Sequence, residues 1–348
     1  MKMFRCLLVL IICSTVFLSA FSVNGSNGPS LNTYSRGRLP RHAAIMWPTD
    51  MIAYNEVSKR EEGLEMRGQI PYITDAAGSL QRPINEEIDR VINNKVAEAR
   101  ETRARSLTFD FETFHADREM SIVIKSTATN ATSKTTVASV NFNTQTGALL
   151  SAEDVVGTHV VQLADRLLLE IIRRNPGSFN PGFNGMRRGQ AFSATRDEIV
   201  FWFDEFQLKP IADGVVPFTL RRNDILVHTI SREQFRTQPG FNFKMVQVRE
   251  VSEALGYEVH WCPNTSETTI FHNGELVIVL TPGENNYERV NRSTATRTLE
   301  APPELVDERT YVPISFFDQI LSLVAYSIDN QENITFASYR VTDAWFEW

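Results

Sequence analysis

Cysteine is nearly missing from this sequence. Of three in 348 residues, Cys6 and Cys13 fall in an apolar leader, which leaves Cys262 alone in the rest of the chain. One thiol cannot close an intrachain disulfide, so the fold must be held by buried apolar cores. Cys262 itself reads as a small packed hydrophobe rather than a nucleophile. Histidine is scarce as well. The six stand at positions 42, 115, 159, 228, 260 and 272, and no two share the three- or four-residue spacing that places paired metal ligands on one helix face. A Gly-x-Ser-x-Gly elbow, a phosphate loop and a Gly-x-Gly-x-x-Gly turn are all absent, which removes the usual signatures of serine hydrolases and nucleotide binders. Positive charge is not in excess either: 35 Lys plus Arg stand against 42 Asp plus Glu, a net charge of −7, which argues against a nucleic-acid partner. These absences imply a protein with no cofactor, no metal and no enzymatic activity.

What is present begins with a leader. Lys2 and Arg5 precede an uncharged apolar run from Cys6 to Phe21, and Ser22 to Ser26 are small or polar. This is the layout of a secretory signal over residues 1–25, marginal in length for a membrane span of about 20 residues. It predicts a secreted or wall-associated protein that touches a membrane only if the leader stays uncleaved. Without Lys2 and Arg5 the charge falls to −9. Residues 26–53, rich in Gly, Pro, Ser and Asn as far as His42, read as a flexible lead-in.

From there on, periodicity takes over. Ile84, Ile88, Val91, Ile92 and Val96 make one apolar face of a helix expected over residues 82–105, with Pro83 in its first turn. Strand-like segments flank it at 56–59, 63–72, 107–114, 120–126 and 135–143. A second helix is expected over 160–173. A buried strand follows over 198–206, with Ile199, Phe201 and Phe203 to one side and Val200 and Trp202 to the other. Strands and helices interleave without a regular β-α-β rhythm, which predicts an α+β class with mainly antiparallel sheets. A front domain over 54–222 is followed by a second over 243–340 that repeats itself at an offset of 66 residues. Val246 to Leu255 aligns with Val312 to Leu321, and Thr269-Ile270 falls on Thr335-Phe336. Each copy reads as an extended lead, a brief helix and a hairpin, so this domain is expected to be a duplicated helix-plus-hairpin unit.

Four arginines draw attention as candidate ligand contacts. Arg173, Arg174, Arg187 and Arg188 surround two Asn-Pro-Gly turns, at 175–177 and 180–182. Guanidinium groups gathered on a compact loop are suited to clamp an anionic wall polymer or a carboxylate-bearing stem peptide. Two other features have plainer readings. Phe201, Trp202 and Phe203 are expected in a core rather than on a sugar-stacking platform. Asn286-Tyr287-Glu288 is read as a chance likeness to a quinone-forming tyrosine sequence. A metal site from His260, Cys262 and His272 is not expected, since strand residues of this kind usually just line a hairpin surface.

Two resemblances sharpen the reading. The Asn85–Val96 helix, Val140-Asn141-Phe142-Asn143-Thr144-Gln145-Thr146-Gly147 before Leu150-Ser151-Ala152-Glu153-Asp154-Val155, and Ile199-Val200-Phe201-Trp202-Phe203 before Gly214 to Leu220 resemble paired domains of unknown function. Those domains form the extracellular part of lysozyme-sensing anti-sigma factors and precede some peptidoglycan deacetylases. Val248-Arg249-Glu250-Val251-Ser252-Glu253-Ala254-Leu255-Gly256-Tyr257-Glu258-Val259-His260-Trp261 and Arg309-Thr310-Tyr311-Val312-Pro313-Ile314 resemble the copper amine oxidase N-terminal-like module of exported Gram-positive proteins. That module is non-catalytic and binds no copper by itself. The resemblances imply a non-catalytic cell-envelope protein that binds peptidoglycan or a wall-active protein such as lysozyme. A sensory or inhibitory ectodomain and a glycan-acting enzyme are the alternatives.

Overall fold

The structure is a computed structural model that describes residues 51–74, 78–210, 214–237, 243–287, 290, 297–321 and 323–340. The leader, nearly all of the lead-in, Ser322 and Glu288 lie outside the described residues. The expected α+β class is borne out, with mainly antiparallel sheets.

The front unit opens with β1 (Ile52–Glu61) and β2 (Leu64–Ile73), then α1 (Gly78–Glu101), β3 (Ser106–His115), β4 (Glu119–Thr129) and β5 (Ser133–Asn143). These strands form one sheet in chain order, antiparallel except for β2 and β3, which α1 joins as a parallel pair. Parallel pairing ends at Gly68 opposite Phe109. There φ is +121° and an added Cβ would lie 2.0 Å from the Phe109 carbonyl oxygen, so only glycine fits. Ile84, Ile88, Val91 and Ile92 of α1 bury against Met66, Phe109, Phe111, Ile122 and Phe142, as the periodicity predicts. The helix starts earlier than its apolar stripe, at Gly78, so Pro83 lies inside it rather than in its first turn. It also stops sooner, because the Thr102 hydroxyl donates to the Glu98 and Ala99 carbonyls and Arg103 turns left-handed at φ +53°. Asn85, next to that stripe, clamps the end of β2. Its Oδ1 accepts from Ile73 N at 2.7 Å and its Nδ2 donates to Ile73 O at 3.1 Å.

The front unit continues with α2 (Ala152–Val156), α3 (Thr158–Arg174), β6 (Phe192–Ala194), β7 (Glu198–Phe203) and β8 (Val216–Arg221). Ser151 and Asp154 cap α2 reciprocally. Strand β7 splits two cores as its alternation predicts. Ile199, Phe201 and Phe203 join the α3 core, while Val200 and Trp202 pack with Val123 and Val137 of the first sheet.

Residues 225–237, between the two expected domains, supply β9 (Ile225–Ile230) and β10 (Phe235–Thr237), and both strands join sheets of the C-terminal unit. That unit then runs through β11 (Lys244–Gln247), α4 (Val248–Ala254), β12 (Glu258–Cys262), β13 (Glu267–His272), β14 (Glu275–Leu280), β15 (Glu304–Val306), β16 (Arg309–Pro313), α5 (Ser315–Gln319), β17 (Val324–Ile328) and β18 (Ile334–Tyr339). Its sheets are ordered β10-β11-β16-β15, β12-β13-β14 and β17-β18-β9. The duplication is visible in the register. Antiparallel β11 and β16 place Val246 directly opposite Val312, its equivalent 66 residues on, and both are buried. A local two-fold axis therefore passes through that pair. The offset is not gapless as the sequence suggested. The strand after the helix is one residue out of step with that offset in the second copy. Val259 accordingly pairs with Ile270, and Tyr326 with Phe336.

The two units share a core. Ala325, Ala337 and Tyr339 of the second copy pack with Leu163, Leu167 and Ile171 of α3. Arg166 of α3 donates to Asp318 O at 2.5 Å, to Val324 O at 3.0 Å and to Asp318 Oδ2 at 2.9 Å. His159 meets Ser327 Oγ at 3.2 Å. Among the described residues no helix is long and apolar enough to cross a membrane.

Candidate functional site

The arginine loop folds mainly on its own scaffold. Arg173 grips Glu170 with two hydrogen bonds, at 2.8 and 2.7 Å, and Arg174 reaches the same carboxylate at 2.9 Å. Arg187 lies 3.5 Å from Asp204, while Arg188 is exposed and has no ion pair among the described residues. Glu170 thus holds Arg173 and Arg174 at the end of α3, and Arg187 and Arg188 sit apart from them along the loop. The Asp165 carboxylate accepts from Met186 N at 2.7 Å, and burial pushes its pKa up. Asn180 Nδ2 donates to the Phe206 carbonyl, and Gln190 Nε2 to that of Trp202. These contacts strap the loop over the turn after β7, whose Asp204 and Glu205 accept from Val137 N and Thr135 N on the edge of β5. Capping an edge strand in this way blocks further pairing.

The other positions weighed from sequence are placed plainly. Phe201 and Phe203 are fully buried, and Trp202 is nearly so, with Lys125 Nζ 5.2 Å from its ring. Tyr287 is buried, its hydroxyl donates to Ala301 O at 2.9 Å, and burial raises its pKa. His272 stacks on Tyr257 at 4.6 Å and His260 packs edge-on against Phe271, so they do not converge with Cys262. Cys262 is half-exposed, and a hydrogen bond from the Thr265 side chain holds its thiol below the ordinary value.

Sequence reasoning missed a cleft of about 240 Å³ between the first copy's hairpin and the lead strand of the second copy. It opens between the start of α4, the β12–β13 hairpin and the β15–β16 hairpin. Trp261, Arg249, Glu308, Arg309 and Gln247 line it, above Thr268 and Thr310. Each lining group has a local reason for its place. Trp261 pairs with Thr268 on the face that also carries Val259 and Ile270, so the strand alternation aims it inward just where the core ends. Thr268 and Thr310, both buried, share a hydroxyl hydrogen bond of 2.8 Å that ties the hairpin to β16. Arg309 begins β16 directly after the Asp307-Glu308 turn. Arg249 has a partner in Glu253 at 3.0 Å, whereas Glu308 and Arg309 have no ion pair among the described residues. The cleft therefore offers one half-exposed aromatic face and unneutralised charges of both signs. Trp261 and Arg309 both stand within the segments that resemble the repeat family. Their convergence depends on the β11–β16 pairing, which spans 66 residues and leaves no mark on local periodicity.

Fold and site together define an α+β protein with a front unit and a duplicated C-terminal module that carries an open cleft. Residues 242–335 match the family model of the copper amine oxidase N-terminal domain. A protease inhibitor from Brevibacillus choshinensis is 34% identical over 77 residues, and the match spans 22% of this chain and 22% of that protein. A DUF3298 family member from Bacteroides fragilis aligns over 49% of this chain and 90% of its own, at 11% identity and a TM-score of 0.34. A second, from Pseudomonas aeruginosa, aligns over the same shares at 12% identity and a TM-score of 0.36.

Proposed function

We propose that this chain is an exported, non-catalytic binding protein of the bacterial cell envelope, and that the cleft beside Trp261 holds a peptidoglycan fragment. The observation that carries the reading is the lining itself: Trp261 beside Arg249 and Arg309 at the mouth of a cleft of about 240 Å³. An indole face packs well on the apolar face of a sugar, and guanidinium groups pair bidentately with the carboxylates of a stem peptide. Arg309, which has no ion pair among the described residues, supplies the positive charge that a stem-peptide carboxylate needs on a chain of net charge −7. The leader with Lys2, Arg5 and the run Cys6 to Phe21 supports export. The front-unit resemblance to extracellular sensor domains points to the same compartment. Non-catalytic character is supported by the single carboxylate of the lining, Glu308, since glycoside cleavage generally uses two.

The test is sedimentation with intact sacculi. The wild type should pellet with them, and Trp261→Ala should stay in the supernatant with its fold intact. Capture by immobilised lysozyme without capture by sacculi would transfer the reading to a wall-active protein. A second reading, protease inhibition, is favoured by the Brevibacillus relative. It predicts slowed peptide hydrolysis when the chain is titrated into secreted proteases, and unchanged rates would dismiss it.

A further inference from the structure

Among the described residues, three two-residue hairpin turns have both central residues in the left-handed region. Two end on glycine: Glu62-Gly63, at φ +50° and +87°, and Asn273-Gly274, at +53° and +76°. This is the chemistry such turns favour. The third, Asp307-Glu308 between β15 and β16, has no glycine, yet holds φ of +49° and +62°. Glutamate is a poor occupant of that second position, because its Cβ crowds the backbone. The strained turn is also the one at the cleft, and Glu308 lines it. Backbone strain kept at a ligand cleft suggests that the side chain serves the ligand. Glu308 is exposed and is followed by Arg309, and neither is neutralised by a protein partner among the described residues.

We infer that the cleft selects ligands that carry an ammonium group beside a carboxylate. Glu308 takes the amine, Arg309 and Arg249 take the carboxylate, and Trp261 covers the apolar or sugar part. The inference rests on the peptidoglycan reading and narrows it to stem peptides with a free side-chain amine. A wholly anionic polymer would gain from the arginines but would be repelled by Glu308.

The experiment is calorimetric titration of the purified chain with two synthetic muramyl peptides. One carries a free side-chain amine and free carboxylates, and the other is the same compound acetylated at that amine. The wild type should bind the free amine about tenfold more tightly, the size expected for one charge-assisted hydrogen bond. Glu308→Gly should bind both forms equally and melt at or above the wild-type temperature, which separates lost recognition from lost folding. Equal wild-type affinity for the two compounds would overturn the amine assignment and leave the peptidoglycan reading standing. Equal weakening of both compounds by Glu308→Gly would also overturn it, since the side chain would then act through cleft shape. If neither compound binds, both readings fall together.

Discussion

On the outer face of its hairpin, the second copy of the repeat carries Ala325 opposite Ala337 and Ser327 opposite Thr335. The first copy has Glu258 opposite Phe271 and His260 opposite Thr269 at the corresponding places. Small side chains let α3 lie directly on β17 and β18, and Arg166 and His159 fasten it there. The bulky and charged pairs of the first copy offer no such seat. At the mouth between the sheets the copies differ again. Trp261 faces Thr268 in the first, where Ile328 faces Ile334 in the second. One plan has thus been used twice, once as an anchor for the front unit and once to keep a cleft open.

The widest way to break this division is to give the anchor the other copy's residue. Ala337→Phe places a phenyl where α3 packs and where the alanine is fully buried. Overpacking should cost about 3 kcal/mol or more, read from urea unfolding. The reverse change, Phe271→Ala on the half-exposed face, should cost about 1 kcal/mol. Between those two in size, Arg166→Met leaves the Asp318 carboxylate and two carbonyls without their donor. Hydrogen bonds to a charged group suggest a loss of about 2 kcal/mol, and Asp318→Asn in that background should return part of it.

Acid should loosen the anchor. Burial lowers the pKa of His159 at the α3–β17 contact. The unfolded chain therefore binds its proton more readily than the folded one, so the contribution of this group is complete above the ordinary histidine value near 6.5 and declines as pH falls below it. His115 in β3 shifts the same way for the same reason. Stability measured from pH 7.5 to 5 should fall, and His159→Gln should flatten part of the slope. The smallest expected effect is a gain. Glu308→Gly relieves the left-handed turn by about 1 kcal/mol.

Much of this fold was legible because its elements are amphipathic on their own. The α1 stripe from Ile84 to Val96 and the split of Ile199, Phe201 and Phe203 from Val200 and Trp202 needed no tertiary information. The repeat was legible because Val246 and Val312 have the same neighbours in two folded copies. Its one-residue slip was not, since strand register is set by how each hairpin packs on its neighbours and not by local composition. The cleft was least legible. Arg249, Trp261 and Arg309 come from three segments that meet only once β11 has paired with β16. The arginine loop caught attention through local composition, but a sequence does not show Glu170 and Asp204 already facing three of its four charges.

The central claim, that the hairpin of the first copy binds while the hairpin of the second anchors, is tested most directly by hydrogen–deuterium exchange with and without a soluble muramyl peptide. Ligand should protect the backbone amides of residues 247–249, 259–268 and 306–310 and leave β17, β18 and the loop of residues 173–190 unchanged. Protection confined to that loop or to β17 and β18 would contradict the account.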